Sequence, residues 1–405
     1  MSALAVEVNP VERLLPDVRR VMDVREMTSG GSTDPFRARF RGRLLIPSEQ
    51  AFERLAPAFA REKLVLLLRQ DGEMQVVVGV MDLRPSSPSR PWLNLIFFGL
   101  TGLSVLYAGL LYGAGYLNLD PRLSTQEILL RALPLGLLYG ASLLGILVAH
   151  EFGHYFVGRY HGTEVSLPFF LPFPGSLFGT LGAFIRLKSP PRNRRTLMDI
   201  GLAGPLAGLV VAIPVLLIGL ALSEVGPLPT GSRQAAGTIL EGNSLFYLAV
   251  KFLVKGELLP APAEYGGLPP LLYWTRYILT GLPTPLGGRD VSLHPMAWAG
   301  WAGLLVTGLN LIPVGQLDGG HALYALLGRR AGRIWPFVLV AMAGLTLVWT
   351  GWFLFAGLVF FFGRAHAQPL DDITPLDGRR RLVAVLGLVL FLLIFTPVPL
   401  RPLGG

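Results

Sequence analysis

The chain has 405 residues, 52% of them hydrophobic and only 15% charged, with a mean hydropathy of +0.53. Soluble domains carry about 25% charged residues, so this composition excludes an ordinary soluble globule and points to a polytopic α-helical membrane protein. The net charge of +9 lies largely in short arginine-bearing loops beside apolar runs. Lipid headgroups and topology rules act on such loops, so the bilayer is the expected partner and nucleic acid is not. There is no cysteine, which excludes disulfides and thiolate metal sites and leaves histidine and carboxylate as strong ligands.

The first thirty residues are charged and lack the apolar core of a cleavable signal peptide, so residues 1–35 are expected to be a flexible tail. Residues 36–83 read as a small soluble α+β domain in β-α-β-β order. Alternation over 36–46 predicts a strand, and Pro47-Ser48 starts a helix with Phe52, Leu55 and Phe59 on one face. Two further strands, 64–68 and 74–80, are joined at Gln70-Asp71-Gly72-Glu73, a hairpin signal. Residues 84–91, rich in proline and serine, read as a linker.

Residues 92–405 are expected to form the membrane domain, with about six to eight spans. Spans are predicted at 92–117 and 129–160, the second started by Ser124-Thr125-Gln126-Glu127. The stretch 168–185 is apolar but studded with proline and glycine, which excludes a continuous helix. Residues 176–188 are predicted as a re-entrant hairpin near the active site. A third span at 199–222 carries Gly204-Pro205-x-x-Gly208, which lets another helix come close. Residues 244–254 fit a short span or a surface helix, and 298–327 a strong span. Residues 334–362, interrupted by Gly344 and Gly351, fit two short crossings, and 381–400 a final span. Arginine clusters at 186–195, 329–333 and 379–381 are expected on the cytoplasmic face, which requires 334–362 to cross twice.

The chemistry starts at His150-Glu151-Phe152-Gly153-His154, at the end of the second span. Histidines four apart share a helix face and can hold one metal ion, and Glu151 is placed to act as general base. Ionisable groups in lipid cost roughly 2.5–3.5 kcal/mol each, so they are kept there for function. The span from 298 carries Asn310-Leu-Ile-Pro313-Val-Gly-Gln-Leu-Asp318-Gly319-Gly320-His321. Asp318 supplies the missing oxygen ligand, completing the open His-His-carboxylate set of catalytic zinc, one Zn2+ per chain. Pro313, Gly315, Gly319 and Gly320 loosen the helix so that Asp318 can turn inward. Asn310 is placed to hydrogen-bond substrate backbone or a developing oxyanion. His161, Glu164, His294, His321 and His366 are read as neighbours of the centre or interface residues, not ligands.

These two motifs resemble those of the site-2 proteases, intramembrane zinc metalloproteases that pair His-Glu-x-x-His with a distant Asn-x-x-Pro-x-x-x-Leu-Asp-Gly. The soluble unit, Glu241-Gly242-Asn243-Ser244, His294-Pro295 and Asp371-Asp372-Ile-Thr-Pro-Leu-Asp377 resemble the branch of plastid gravitropism and chloroplast-development proteases, which has bacterial members. The resemblance implies His150, His154 and Asp318 as zinc ligands, Glu151 as general base and Asn310 as substrate-positioning residue. Gln316-Leu317 stands where the family has Asn-Pro before Asp-Gly, and no PDZ-like insert is visible. The expected activity is intramembrane hydrolysis of membrane-anchored proteins. The expected location is a bacterial cytoplasmic membrane, with the N-terminal domain and the active-site end cytoplasmic and homo-oligomerisation left open. A membrane metal-ion transporter and an inactive protease-like scaffold are the alternatives. No duplicated motif supports the transporter, and a scaffold tends to lack Glu151 or a ligand.

Overall fold

The structure is a computed structural model that describes residues 9–31, 33–81, 90–120, 122–231 and 237–403. The N-terminal unit begins earlier than the sequence pattern predicts. Helix α1 (Pro10–Arg19) and strand β1 (Met22–Ser29) occupy the segment expected as a loose tail. Val11, Leu14 and Val18 are buried on one helix face, a spacing that surrounding charge obscures, and Val21 and Met22 are buried just after it. Strand β2 (Ala38–Leu44), helix α2 (Ser48–Arg61) and strands β3 (Leu64–Asp71) and β4 (Met74–Met81) follow. The antiparallel sheet runs β1-β2-β4-β3, and Gly72, at φ 63°, allows the tight β3–β4 turn. Its core is Phe40, Leu55, Phe59, Leu68 and Val77. The linker expected at 84–91 falls almost wholly outside the described residues.

The membrane portion opens with α3 (Pro91–Tyr116) and α4 (Thr125–Tyr160), the latter started by a Ser124–Glu127 capping box. Strands β5 (Phe169–Pro172) and β6 (Thr180–Phe184) form a hairpin, and α5 (Arg194–Leu222) follows, capped by Asn193. The hairpin thus starts seven residues before the predicted one, and its turn lies at residues 173–179. The next stretch holds β7 (Glu224–Pro227), β8 (Ile239–Glu241), α6 (Leu245–Lys255), α7 (Pro270–Thr280) and β9 (Arg289–Ser292). Eleven residues reach about 16 Å, too short for a ~30 Å hydrocarbon core, so α6 is not a full crossing.

The span predicted at 298–327 is two helices, α8 (Pro295–Asn310) and α9 (Asp318–Leu327). A 3-10 turn (Gly328–Arg333) leads to α10 (Trp335–Leu345) and α11 (Trp352–Phe362), then to α12 (Gly378–Ile394) and β10 (Leu400–Pro402). Strand β10 pairs with β8, and β7 with β9. Helices α10 and α11 fold back on each other. Trp335 Nε1 donates to the Val359 carbonyl at 2.9 Å, and the Arg364 guanidinium covers the Trp335 ring at 4.7 Å. Among the described residues, three helices are long and apolar enough to cross a membrane: α3, α4 and α5. The expected six to eight spans exceed that number, because the other apolar helices are short or broken.

The three basic clusters gather on one face, against the N-terminal unit. Arg194 and Arg329 both pair with Asp372, at 2.9 and 3.6 Å, and Arg380 holds Asp199 at 2.9 Å. Arg192 and Arg195 reach Glu53 and Glu49 on α2. Residues 370–372 run along the outer edge of β3: Leu68 N donates to the Leu370 carbonyl and Asp372 N to the Leu68 carbonyl. The sheet edge is thereby covered by the membrane half of the same chain.

Candidate metal centre

Helix α4 brings His150 and His154 to one face, and both rings are buried, 4.9 Å apart between centroids. Helix α5 packs against that face through Gly204 and Gly208, while its Gly201 meets His321 of the later chain segment. A methyl group on Gly204 would fall on the His154 ring, so the close approach depends on glycine there. His154 Nδ1 donates to the Ile200 carbonyl at 2.7 Å, which fixes the tautomer and leaves Nε2 as the free donor atom.

The third group comes from the break between α8 and α9. Pro313 lacks an N–H, and Gly315 lies at φ 58°, so the helix ends at Asn310 and reverses. Gly319 and Gly320 pack against the carbonyls of Leu311, Val314 and Gly315, where side chains have no room. This tight turn delivers Asp318 as the first residue of α9. Its Oδ2 lies 3.3 Å from His150 Nε2 and its Oδ1 3.3 Å from His154 Nε2. The two Nε2 atoms are 3.2 Å apart.

Such a triangle fits a metal. Tetrahedral zinc with ligand bonds of about 2.0–2.1 Å holds its ligand atoms about 3.3–3.4 Å apart. Two imidazoles and one carboxylate also leave a fourth position open, as a catalytic site requires. Glu151, 3% exposed, lines the same cavity of about 180 Å3, and its Oε2 has no hydrogen-bond partner. A buried carboxylate oxygen without a partner is unusual and marks a group reserved for a ligand or a reaction. Asn310 Nδ2 lies 3.3 Å from His150 Nε2, at the same centre.

All five residues singled out in the sequence therefore converge. The Ile200 carbonyl does not appear among them, although the glycines at 201, 204 and 208 mark the face of α5 that carries it. His321 also lines the cavity, and its buried Nδ1 has no partner. His161 lies apart, 3.0 Å from Asp199, and Glu164 borders a different cavity. His294 caps α8, and His366 packs on Tyr324. On the opposite side of the centre, Ala183 and Phe184 of β6 form the cavity wall.

The model of peptidase family M50 matches residues 139–351, which contain both halves of this centre. The chain belongs to peptidase family M50, the site-2 protease family. It is 30% identical over 378 residues to the probable zinc metalloprotease EGY2, chloroplastic, of Arabidopsis thaliana, covering 91% of this chain and 61% of that protein. It is 31% identical over 270 residues to EGY1 of the same plant (66% and 43%) and 29% over 266 residues to EGY3 (62% and 41%). The chain thus spans about six-tenths of the length of EGY2 and less of the others. No solved structure matches it. Membership of this family, together with the apolar helices, makes the chain an integral membrane protein. The relatives' names are chloroplastic and lend no support to the bacterial cytoplasmic membrane expected from the sequence.

Proposed function

We propose that this chain is a zinc-dependent intramembrane endopeptidase, hydrolysing peptide bonds in or beside the spans of membrane-anchored proteins. The observation that carries this reading is the convergence of three ligand atoms beside a buried carboxylate oxygen with no partner. His150, His154 and Asp318 would hold one zinc ion, which when bound activates water and polarises the scissile carbonyl. Glu151 takes the proton of the attacking water and delivers it to the leaving amine. Asn310, whose amide faces the same cavity, positions the substrate backbone. His154 is kept in register by Ile200.

A helical substrate hides its carbonyls in its own hydrogen bonds and must unwind before it can be cut. Among the described residues, strand β6 has a partner strand on one edge only. Along it run two adjoining cavities: about 210 Å3 beside Thr180, Leu181 and Gly182, then the metal cavity beside Ala183 and Phe184. The unwound segment joins β6 as an added strand, which fixes it by backbone bonds independent of its side chains. The hairpin is re-entrant in this reading: Asn94 meets its base, and Ser104 and Tyr139 meet its tip. Counting α8–α9 as one crossing and α10 and α11 as two short ones gives seven spans, with the N-terminal unit and the metal end on the same face. The tip of the α10–α11 hairpin supports this count, because Trp352 donates to the Pro397 carbonyl beyond α12.

The Glu151→Gln protein tests the reading. Cleavage of a membrane-anchored reporter should fall by about 10²–10⁴-fold with zinc content and fold retained. Wild-type cleavage by this variant would overturn Glu151 as the general base, whereas zinc uptake into liposomes without cleavage by the unmutated chain would favour the transporter alternative.

A further inference from the structure

At the opposite end of the membrane portion from the N-terminal unit lies a cavity of about 770 Å3, larger than that of the metal centre. Tyr112 of α3, the hairpin tip at Gly175 and Ser176, strands β7, β8 and β9, and Trp298 of α8 form its walls. Two of its wall residues, Glu241 and Asp290, are buried carboxylates. They share a single ammonium group, that of Lys251, which is fully buried. Its Nζ lies 3.3 Å from Glu241 Oε1 and 3.7 Å from Asp290 Oδ1. Tyr247 also donates to Glu241 Oε1 at 3.0 Å, so the Glu241 carboxylate is served twice.

Asp290 is less well satisfied. It is 4% exposed; Oδ1 accepts from the Val291 N–H, while Oδ2 has no partner. Burial pushes its carboxyl above the usual carboxylate range, against the pull of Lys251. On the facing wall, Trp298 is 7% exposed, and its Nε1 donor has no partner either. Buried polar atoms without partners are rare in folded proteins. Among the described residues, an acceptor and a donor thus stand unpaired just beneath the walls of one cavity, where two carboxylates share one ammonium. The rings of Tyr112, Trp298 and Trp301 stack in series, at 5.3 and 4.9 Å, and hold that wall rigid.

The cavity borders the proposed peptide path at Ser176. Ser176 belongs both to its wall and to that of the apolar cavity along β6, which leads to the metal centre. Strand β6 from Thr180 to Phe184 is five residues long, so an extended segment paired along it needs at least that many. We infer that this cavity receives a positively charged group of the peptide flanking the substrate's span, at least five residues from the cut. The group is an α-amine or a Lys or Arg side chain. It pairs with Asp290 while a neighbouring carbonyl accepts from Trp298. This inference rests on the proteolytic reading for its biological meaning, but not for its test.

The test uses the zinc-loaded, full-length Glu151→Gln chain in detergent micelles and three synthetic peptides that differ only in charge. One has a free amino terminus and no lysine, one is acetylated with a single lysine, and one is acetylated with neither. Anisotropy of a label on the carboxyl end reads binding. At least one cationic peptide should bind about tenfold tighter than the neutral one, as expected for one charge-assisted hydrogen bond. Which one binds tells an amine left by an earlier cut from a side chain. Asp290→Asn should remove that preference. Equal affinity for all three peptides overturns the inference, as does a preference that survives in a folded Asp290→Asn protein. The peptide comparison requires no change at Asp290, so it decides even if that variant fails to fold. Reporter cleavage by the unmutated chain is scored separately. Charge-selective binding without cleavage would sink the proteolytic reading alone.

Discussion

His154 shows how much of the centre depends on groups with no chemistry of their own. Its Nδ1 is committed to the Ile200 carbonyl, and its other side lies against Gly204. Gly204→Ala therefore places a methyl group where the imidazole stands. The expected outcome is zinc content well below one per chain and a loss of about 1–3 kcal/mol from overpacking. Gly99→Ala, where an added methyl meets nothing within 4 Å, should leave the zinc content unchanged and cost no stability. Metal analysis and thermal melts of the two proteins check this. His150, Glu151 and His154 are legible in the sequence because a helix fixes their relative positions within one turn. The Ile200 carbonyl is not, since a backbone acceptor has the same identity at every residue.

At the scale of elements, breaks in regular structure carry the site more than the long helices do. The α8–α9 break is written into the sequence by Pro313, Gly315 and Gly319, residues that cannot continue or cannot crowd a helix. The hairpin is less legible: Pro172 and Pro174 exclude a helix, but only contacts with α3 and α4 decide where its strands begin. Ser104 donates to the Gly179 carbonyl and Tyr139 to the Phe178 carbonyl, so both helices hold the hairpin tip. If β6 receives the substrate, Ser104→Ala and Tyr139→Phe should each raise KM for a membrane-anchored reporter about fivefold, the worth of one buried hydrogen bond. Zinc content should stay at one per chain. A fall in zinc with unchanged KM would make the hairpin a support for the centre instead of a substrate platform.

Over the whole molecule, the N-terminal unit and the membrane portion form one connected structure. Leu370 and Ile373 pack on the core of the soluble unit, and Asp372, 4% exposed, accepts from Tyr324 as well as Arg194. Removing a buried carboxylate strands its cationic partners, a costly change. Asp372→Ala should therefore loosen the junction, with hydrogen-exchange protection of the Leu68 and Asp372 amides falling about tenfold or more. Protection along β1 and β2 should not change, because those strands lie on the far side of the sheet. Equal loss across the whole unit would show that the unit unfolds as one when undocked.

Sequence by itself determined the membrane setting, the run of apolar helices and the shared helix face of His150 and His154, because these follow from composition and from spacing within single turns. It placed α2 and the β3–β4 hairpin for the same reason. It did not reveal that residues before 36 complete the soluble sheet, since β1 is mostly exposed and its polar sequence shows no alternation. Only the tertiary structure decided that Asp318 reaches both histidines across about 165 residues, and that residues 370–372 close the β3 edge. Contacts between segments distant in the chain depend on the order and crossing of helices, and no local periodicity encodes that.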